Sequence, residues 1–184
     1  MKVVIGITGA SGVVYGAKLL QVLRKLESVE THLIISKIAE SVLRSETRYT
    51  KKDLENFADY NYDIQDLMAP ISSGSFRFDA MVIVPCSMKT VAGLANGFTD
   101  NLILRTADVA LKEKHDLIIV PRETPLSSIH LKNLFQLANI GVHILPAMPA
   151  FYHRPRTVDD MVSYVIGKIT DTLRLNLEIY KRWN

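Results

Sequence analysis

The sequence predicts a doubly wound α/β fold with a parallel sheet, and three observations support this prediction. Short apolar runs rich in β-branched residues alternate with segments of helical periodicity, which is the pattern of βαβ units. The predicted strands are apolar throughout, as expected of strands buried on both faces of a sheet. Small, hydroxyl-bearing and basic residues follow these strands, and ligands of such folds bind beyond the carboxyl ends of the strands.

The predicted elements form a single series along the chain. Strands are assigned where aliphatic and β-branched residues run together, and helices where apolar residues recur every three or four positions. The strands are 2–8, 31–36, 80–85, 116–121 and 142–146. The helices are 12–27, 37–46, 88–96, 100–114, 127–139 and 157–173. Segment 47–70 shows only short helical signals at 51–58, and no repeat or low-complexity linker divides the chain, so we expect one domain over residues 1–184.

Composition and charge narrow the class of protein. Hydrophobic residues make up 48% of the 184 residues and charged residues 22%, which suits a globular protein with a real core. The formal net charge of +3 is too small to indicate a nucleic-acid partner. Cys86 is the single cysteine, so no internal disulfide can form and a reducing compartment is favoured. No run approaches the roughly 18 uninterrupted apolar residues of a membrane span. We therefore expect a cytoplasmic protein without a membrane or nucleic-acid partner.

The turn after the first strand, residues 8–12, is rich in glycine. Such a turn lets a phosphate approach backbone N–H groups at the positive end of the following helix. A dinucleotide site also needs an acidic residue at the end of the second strand, where this chain has Ser36 and Lys37. The Gly-Lys-Ser/Thr ending of a P-loop is missing as well. The turn thus favours a mononucleotide such as a flavin phosphate, with NADP a weaker option, and a tight packing turn as the alternative.

Later turns add groups that suit an anion. Ser87 and Thr90 offer hydroxyls after the third strand. Lys89 lies in the first turn of the next helix, where the helix dipole disfavours a cation unless an anion is near. The apolar strand LIIVP ends on Arg122 and Glu123, and arginine binds phosphate in a bidentate manner. Helix capping explains any one of these turns, but the whole series favours an anion site at one edge of the sheet.

Five segments, in order, resemble a known family. They are GITGASG at 6–12, PCSMKT at 85–90, GLANGFTDNLILRTADVALKE at 93–113, LIIVPRETPLSSIHLKN at 117–133 and PAMPAFYHRP at 146–155. Together they resemble the flavin prenyltransferases of the UbiX family, formerly called 3-octaprenyl-4-hydroxybenzoate carboxy-lyases or phenylacrylic acid decarboxylases. The resemblance covers nearly the whole chain. It implies a three-layer, Rossmann-like (flavodoxin-like) flavoprotein fold with a mainly parallel sheet, assembled as a homododecamer.

The resemblance also implies a reaction. A dimethylallyl group passes from dimethylallyl phosphate to N5 and C6 of reduced FMN, so that FMN is both cofactor and substrate. The product, prenylated FMN, is the cofactor of a UbiD-type decarboxylase, which is the implied partner. Enzymes that ionise allylic diphosphates usually use paired aspartates and magnesium, but Asp159-Asp160 is not part of a DDxxD run. His130, His143 and His153 lack the spacing of metal ligands, so we expect a metal-independent transferase.

The site residues that the resemblance implies fall into three groups. The FMN-binding positions are Gly9, Ala10, Ser11, Ser36, Ser87, Met88, Lys89, Thr90 and Arg122. The positions for dimethylallyl phosphate are Tyr152, Lys168 and again Arg122. The catalytic positions are Glu123, Ser11, Glu46 and Lys112. A departing phosphate needs cationic and hydrogen-bonding partners. Loss of the C6 proton needs a general base, which is either Glu123 or the released phosphate.

Two other functions stay open from the sequence. An FMN-dependent cysteine decarboxylase shares the flavin-binding fold, but such enzymes have an Ala-Asn-Thr type sequence where this chain has SMKT at 87–90. They also use a catalytic histidine for which we find no counterpart. A non-enzymatic flavin carrier would need no groups for a phosphate leaving group. Four residues of this chain count against the carrier, namely Arg122, Glu123, Tyr152 and Lys168.

Overall fold

The computed structural model describes residues 1–183 and shows a sheet between two layers of helices. The strands are Lys2–Ile7 (β1), Glu30–Ile35 (β2), Tyr60–Tyr62 (β3), Ala80–Cys86 (β4), Asp116–Pro121 (β5) and His143–Ile144 (β6). Within these residues they form one parallel sheet in the order β3-β2-β1-β4-β5-β6. The chain builds outward from β1 in one direction and then from β4 in the other. The switch point, where ligands bind in such folds, lies between β1 and β4.

The helices cover both faces of this sheet. They are Val13–Leu23 (α1), Lys37–Glu46 (α2), Lys51–Phe57 (α3), Met88–Ala95 (α4), Leu102–Glu113 (α5), Ser128–Asn139 (α6) and Val158–Thr172 (α7), with a 3₁₀ turn at Pro70–Ser72. Apolar residues of α1, α2, α3 and α7 form the core on one face, and those of α4, α5 and α6 form the core on the other. No helix in residues 1–183 is both long and apolar enough to cross a membrane.

The predicted fold class is confirmed, and the differences from the predicted elements are local. Each predicted strand and helix is present, with ends shifted by a few residues. The segment 47–70 also contains β3, which the sequence did not predict. This edge strand has only three residues, too few for a period-two pattern to be recognised, and pairs with β2 alone. The predicted boundary at residue 184 lies outside the described residues, and the single domain stays a prediction.

His32 on β2 is buried, and its burial favours the neutral form of the imidazole. Its ring stacks on Tyr60 and Tyr62 of β3, with centroids 4.8 and 5.9 Å away. Its Nδ1 lies 2.9 Å from the Tyr62 hydroxyl, and its Nε2 lies 2.9 Å from the Glu30 carboxylate. Burial lowers the pKa of His32, and this outweighs the raising effect of Glu30. The cationic form of His32 is therefore disfavoured in the folded protein.

We expect the folded state to lose stability as the pH falls below neutrality. Because the pKa of His32 is lower in the folded state than the unfolded value of about 6.5, the unfolded chain binds the proton first. The loss begins near the unfolded pKa and is complete below the folded one. Urea unfolding midpoints at about pH 7.5 and about pH 5 measure this effect. A His32→Gln variant should lose most of the difference, and an unchanged pH dependence in that variant would contradict the assignment.

Gly16 lets α1 approach β4 closely. A Cβ at this position would lie 2.7 Å from the Val84 carbonyl oxygen and 2.7 Å from Cδ1 of Ile7. Since a backbone carbonyl cannot move aside as a side-chain tip can, Gly16→Ala should lower the free energy of unfolding by about 2–3 kcal/mol. Urea denaturation measures the loss. Ser41→Ala on the exposed side of α2 is the control and should change stability by less than about 0.5 kcal/mol.

Candidate functional site

A pocket opens at the carboxyl edge of the sheet, around the ends of β1, β2 and β4. Its volume is about 240 Å³, and its lining combines polar and apolar side chains. The polar residues are Thr8, Gly9, Ser36, Ser87, Lys89, Thr90 and Asn101, and the apolar residues are Ile38, Ile64, Ile103 and Leu104. The structure therefore brings together five of the predicted FMN-binding positions, namely Gly9, Ser36, Ser87, Lys89 and Thr90.

Three helices begin at this pocket. Ser36 caps α2 by accepting a hydrogen bond from the Ala39 N–H at 3.1 Å. Ser87 caps α4 by accepting from the Thr90 N–H at 3.4 Å. Asn101 caps α5 through its side-chain oxygen. The positive ends of three helix dipoles thus converge on one space, an arrangement that favours an anion.

Thr8 joins the ends of β1 and β4 at the base of the pocket. Its hydroxyl donates to the Pro85 carbonyl oxygen at 2.8 Å and accepts from the Ser87 N–H at 2.8 Å. The residue is only 3% exposed, so both bonds are shielded from water and hold the α4 cap against the first turn. Thr8 is not among the site residues predicted from the sequence. Its only signal is a hydroxyl group at the start of the glycine-rich turn.

Three predicted residues from distant parts of the chain meet at the first turn. The Arg122 Nε donates to the Ser11 carbonyl oxygen at 3.2 Å, and the Gly12 N–H donates to the Glu46 carboxylate at 2.8 Å. Tyr15 lies close enough that the charge of Arg122 lowers its pKa, although burial has the larger and opposite effect and the pKa is raised. Arg122, Glu46 and Ser11 thus surround one segment beside the pocket.

Glu123 is exposed, and one carboxylate oxygen accepts a hydrogen bond from the Thr124 N–H at 3.0 Å. Within residues 1–183 it forms no ion pair with Arg122 or Lys132. A simple surface salt bridge therefore does not explain this glutamate. Ala10 and Met88 are buried, and the Met88 side chain packs in the core, so Met88 offers a ligand only its backbone.

Tyr152, in the loop before α7, and Lys168, on α7, belong to a second group of residues. The Tyr152 ring contacts those of Trp183, His153 and Tyr164 edge-on, with centroids 5.3, 5.6 and 6.0 Å away. Lys168 is exposed and lies near enough to Asp171 to lower the pKa of that residue. No hydrogen bond, ion pair or ring contact in residues 1–183 joins this group to the pocket lining.

Lys112 lies apart from both groups. It is exposed near the end of α5, where it pairs with Glu113 at 3.4 Å. Because α5 starts at the pocket with its Asn101 cap, Lys112 lies roughly 16 Å farther along the helix axis, at 1.5 Å per residue. Within a single chain the structure therefore does not bring Lys112 together with the other predicted site residues, and its catalytic role stays a prediction. The family resemblance implied a catalytic role for Lys112. It did not show that α5 places this residue at the opposite edge of the sheet from the pocket.

A larger depression, of about 780 Å³, lies at the amino edge of the sheet. It is lined by residues of both charges, including Arg77, Asp79, Lys114 and Asp116. We do not assign the site there, because ligands of doubly wound folds bind at the carboxyl edge and no helix begins at this depression. In the part of the chain that the structure describes, His, Cys, Asp and Glu side chains form no cluster that could hold a metal ion.

Known proteins match this chain over its length. The family model described as Flavoprotein matches residues 1–170. The flavin prenyltransferase UbiX of Methanocaldococcus jannaschii is 45% identical over 183 residues, which cover 100% of this chain and 98% of the relative. The chain belongs to the UbiX family of flavin prenyltransferases. The family predicted from the five sequence segments is confirmed, and with it the prediction of a transferase.

Two solved structures related to this family share the fold. One is the dodecameric FMN-dependent UbiX-like decarboxylase from Escherichia coli O157:H7, which is 48% identical with a TM-score of 0.99 and covers 100% of both chains. The other is AnUbiX (PadA1) in complex with FMN and dimethylallyl pyrophosphate. It is 46% identical with a TM-score of 0.97, covering 100% of this chain and 97% of that one. These likenesses confirm the predicted flavoprotein fold of the UbiX family.

Proposed function

We propose that this protein joins a dimethylallyl group from dimethylallyl phosphate to N5 and C6 of reduced FMN. The observation that carries the proposal is the convergence of three helix N-termini on one pocket beside the turn that binds Arg122. Such a site suits a phosphorylated flavin. The relative AnUbiX, which binds FMN together with an allylic pyrophosphate, supports the same combination of ligands here.

The residues of the pocket fit FMN. Ser36, Ser87 and Lys89 provide hydroxyl groups and a cation for the phosphate and ribityl chain. Ile38 and Ile103 are among the apolar side chains that can cover the faces of a flat ring. When bound, reduced FMN supplies the ring atoms that form new bonds to the dimethylallyl group. A Cβ at Gly9 would collide with the Ile38 side chain, so glycine lets the start of α2 pack closely against the first turn.

The phosphate leaving group requires positive charge and hydrogen-bond donors. Arg122 uses its Nε for the Ser11 carbonyl, which leaves both terminal nitrogens of the guanidinium for an anion. Lys168 adds a second cation. Burial and the neighbouring Tyr164 raise the pKa of Tyr152. Its hydroxyl therefore stays protonated and can donate a hydrogen bond to the phosphate. These three residues are our candidates for binding dimethylallyl phosphate.

Proton transfer completes the reaction. Closing the ring would join C6 to the dimethylallyl group, so the double bond of that group must gain a proton and C6 must lose one. Glu123 is the candidate base for the C6 proton. Its carboxylate is free of ion pairs in residues 1–183 and follows directly after Arg122. Glu46 and Ser11 are the other catalytic candidates at the first turn, where Glu46 accepts the Gly12 N–H. The released phosphate is the alternative base.

The working enzyme is proposed to be a homo-oligomer, with a dodecamer as the expected state. In one chain the flavin pocket, the group around Tyr152 and Lys168, and Lys112 stand apart, so a complete site would combine residues of neighbouring copies. The related enzyme from Escherichia coli O157:H7 is dodecameric. A UbiD-type decarboxylase as recipient of the product, metal independence and a cytoplasmic location stay predictions.

A single anaerobic experiment tests the proposed function. The purified protein is incubated with reduced FMN and dimethylallyl phosphate, and the mass of the flavin is then measured. We expect a flavin heavier by one dimethylallyl group. A flavin of unchanged mass would exclude prenyl transfer. Release of carbon dioxide from a peptide with a C-terminal cysteine would instead support the alternative, an FMN-dependent cysteine decarboxylase.

A further inference from the structure

The chain after α7 turns back and lies on the outer face of that helix. The Tyr180 ring packs so closely on Gly167 that any Cβ there would collide with it. The Tyr180 ring also contacts Tyr164 edge-on, with centroids 5.1 Å apart. Farther along, Trp183 contacts Tyr152. We call residues 175–183 the C-terminal segment. It contacts Tyr152 directly, and it binds Asp171, which is a neighbour of Lys168 on α7. Tyr152 and Lys168 are the two residues of this region that are proposed to bind the allylic phosphate.

Asp171 on α7 binds this segment at two points. Its carboxylate accepts a hydrogen bond from the Tyr180 hydroxyl at 2.9 Å. It also accepts two from the Arg182 guanidinium, Nη1 at 3.1 Å and Nη2 at 2.7 Å. Although burial raises the pKa of Asp171, the bonds from Arg182 and Tyr180 hold it below its ordinary value. The paired, charge-assisted bonds to arginine make this the strongest polar attachment of the segment.

The same bonds affect Lys168. Asp171 lies three residues after Lys168 on the helix, and residues at this spacing are neighbours on the helix surface. A free carboxylate there would attract the lysine and repel an incoming phosphate. Because Arg182 and Tyr180 occupy the carboxylate, no ion pair forms between Lys168 and Asp171. The lysine stays available to an anion.

We propose that Asp171 is a positioning residue for the transfer reaction. By binding Arg182 and Tyr180 it holds the C-terminal segment across α7, so that Trp183 covers Tyr152 and Lys168 is left free for the phosphate. The inference rests on the proposed function, in which Tyr152 and Lys168 bind dimethylallyl phosphate. It predicts that loss of the Asp171 charge weakens binding of the allylic substrate without changing the flavin pocket, which lies on other elements.

Trp183 permits a direct test, since it is the single tryptophan of the chain. Its fluorescence anisotropy in the flavin-free, full-length protein reports how firmly the segment is held, whether or not the protein is a prenyltransferase. Asp171→Asn should lower the anisotropy. It should also raise the KM for dimethylallyl phosphate about tenfold, since charge-assisted bonds that order the segment are lost, while the FMN dissociation constant stays the same. Asp159→Asn is the matched control, because Asp159 is also on α7 and also binds a cation, Lys18 at 2.7 Å, but does not touch the segment.

A double-mutant cycle tests whether the two residues act together. Arg182→Gln should lower the anisotropy as Asp171→Asn does and raise the KM at least as much, because it also leaves the Asp171 carboxylate without arginine and free to attract Lys168. The double variant should be no worse than the worse single variant. Unchanged anisotropy in Asp171→Asn would overturn the inference. Lower anisotropy with an unchanged KM would show that the segment is held but does not serve the reaction, which also overturns it. If the wild-type protein forms no prenylated flavin, the proposed function fails, whereas the anisotropy still decides whether Asp171 holds the segment.

Discussion

Replacing Glu123 with glutamine should slow the formation of prenylated FMN by a factor of about 10²–10³. The amide cannot accept the C6 proton, but it keeps the size of the side chain and can still accept the Thr124 N–H. Binding of FMN should therefore be unchanged. The rate is measured in a single anaerobic turnover by the mass of the flavin, and binding by titration of flavin fluorescence.

The control for Glu123 is Glu55→Gln on α3. Glu55 also lies at the protein surface, where it pairs with Lys51 at 3.6 Å, so its replacement should leave the rate unchanged. If Glu123→Gln reacts at the wild-type rate, the released phosphate takes the proton instead. If the variant loses FMN, Glu123 has a binding role and not the role of a base.

Replacing Arg122 with methionine should lower kcat/KM for dimethylallyl phosphate by about 10²–10³, the usual effect of removing one preorganised donor to a developing negative charge. The guanidinium has a fixed orientation because its Nε donates to the Ser11 carbonyl oxygen. Its terminal nitrogens have no carboxylate partner in residues 1–183. Steady-state kinetics with dimethylallyl phosphate as the varied substrate measures the loss.

Two further variants separate charge from orientation. Arg122→Lys keeps the charge but loses the planar fork and the fixed bond to Ser11, so it should recover only part of the activity. Arg24→Met is the matched control, because Arg24 also donates to a backbone carbonyl, that of Asn56, but at the far end of α1. If the Arg122→Met variant has the wild-type kcat/KM, the assignment of Arg122 to the phosphate site is wrong.

The pocket could be predicted from the sequence because it is built from strand ends. Ser36 and Ser87 directly follow β2 and β4, and Gly9 lies two residues after the end of β1. Parallel strands bring their carboxyl ends to one edge of the sheet. The βαβ pattern therefore already places the residues after each strand together. Arg122 and Glu123 directly follow β5, so the same argument places them at this edge of the sheet. The positions of these residues could be predicted without knowing any side-chain contact.

Other contacts depend on where distant segments meet. Glu46 ends α2, and no local pattern shows that its carboxylate accepts the Gly12 N–H. Asp171 is one of several acidic residues on α7, and no motif distinguishes it. Arg182 and Trp183 lie in the C-terminal segment, which has no regular structure. Lys112 is predicted as a catalytic residue, and the direction of α5 places it away from the other candidates of the same chain.

Apart from β3, the strand and helix positions follow from the sequence alone, as do the parallel sheet and the residues at its carboxyl edge. The reason is that hydrophobic periodicity and strand-end geometry are local or repetitive properties. The tertiary structure alone decided that Arg122 binds the first turn, that β3 pairs with β2, and that Asp171 holds the C-terminal segment against Tyr152. These contacts join residues far apart in the chain, and their formation depends on how the packed helices and strands position the connecting segments.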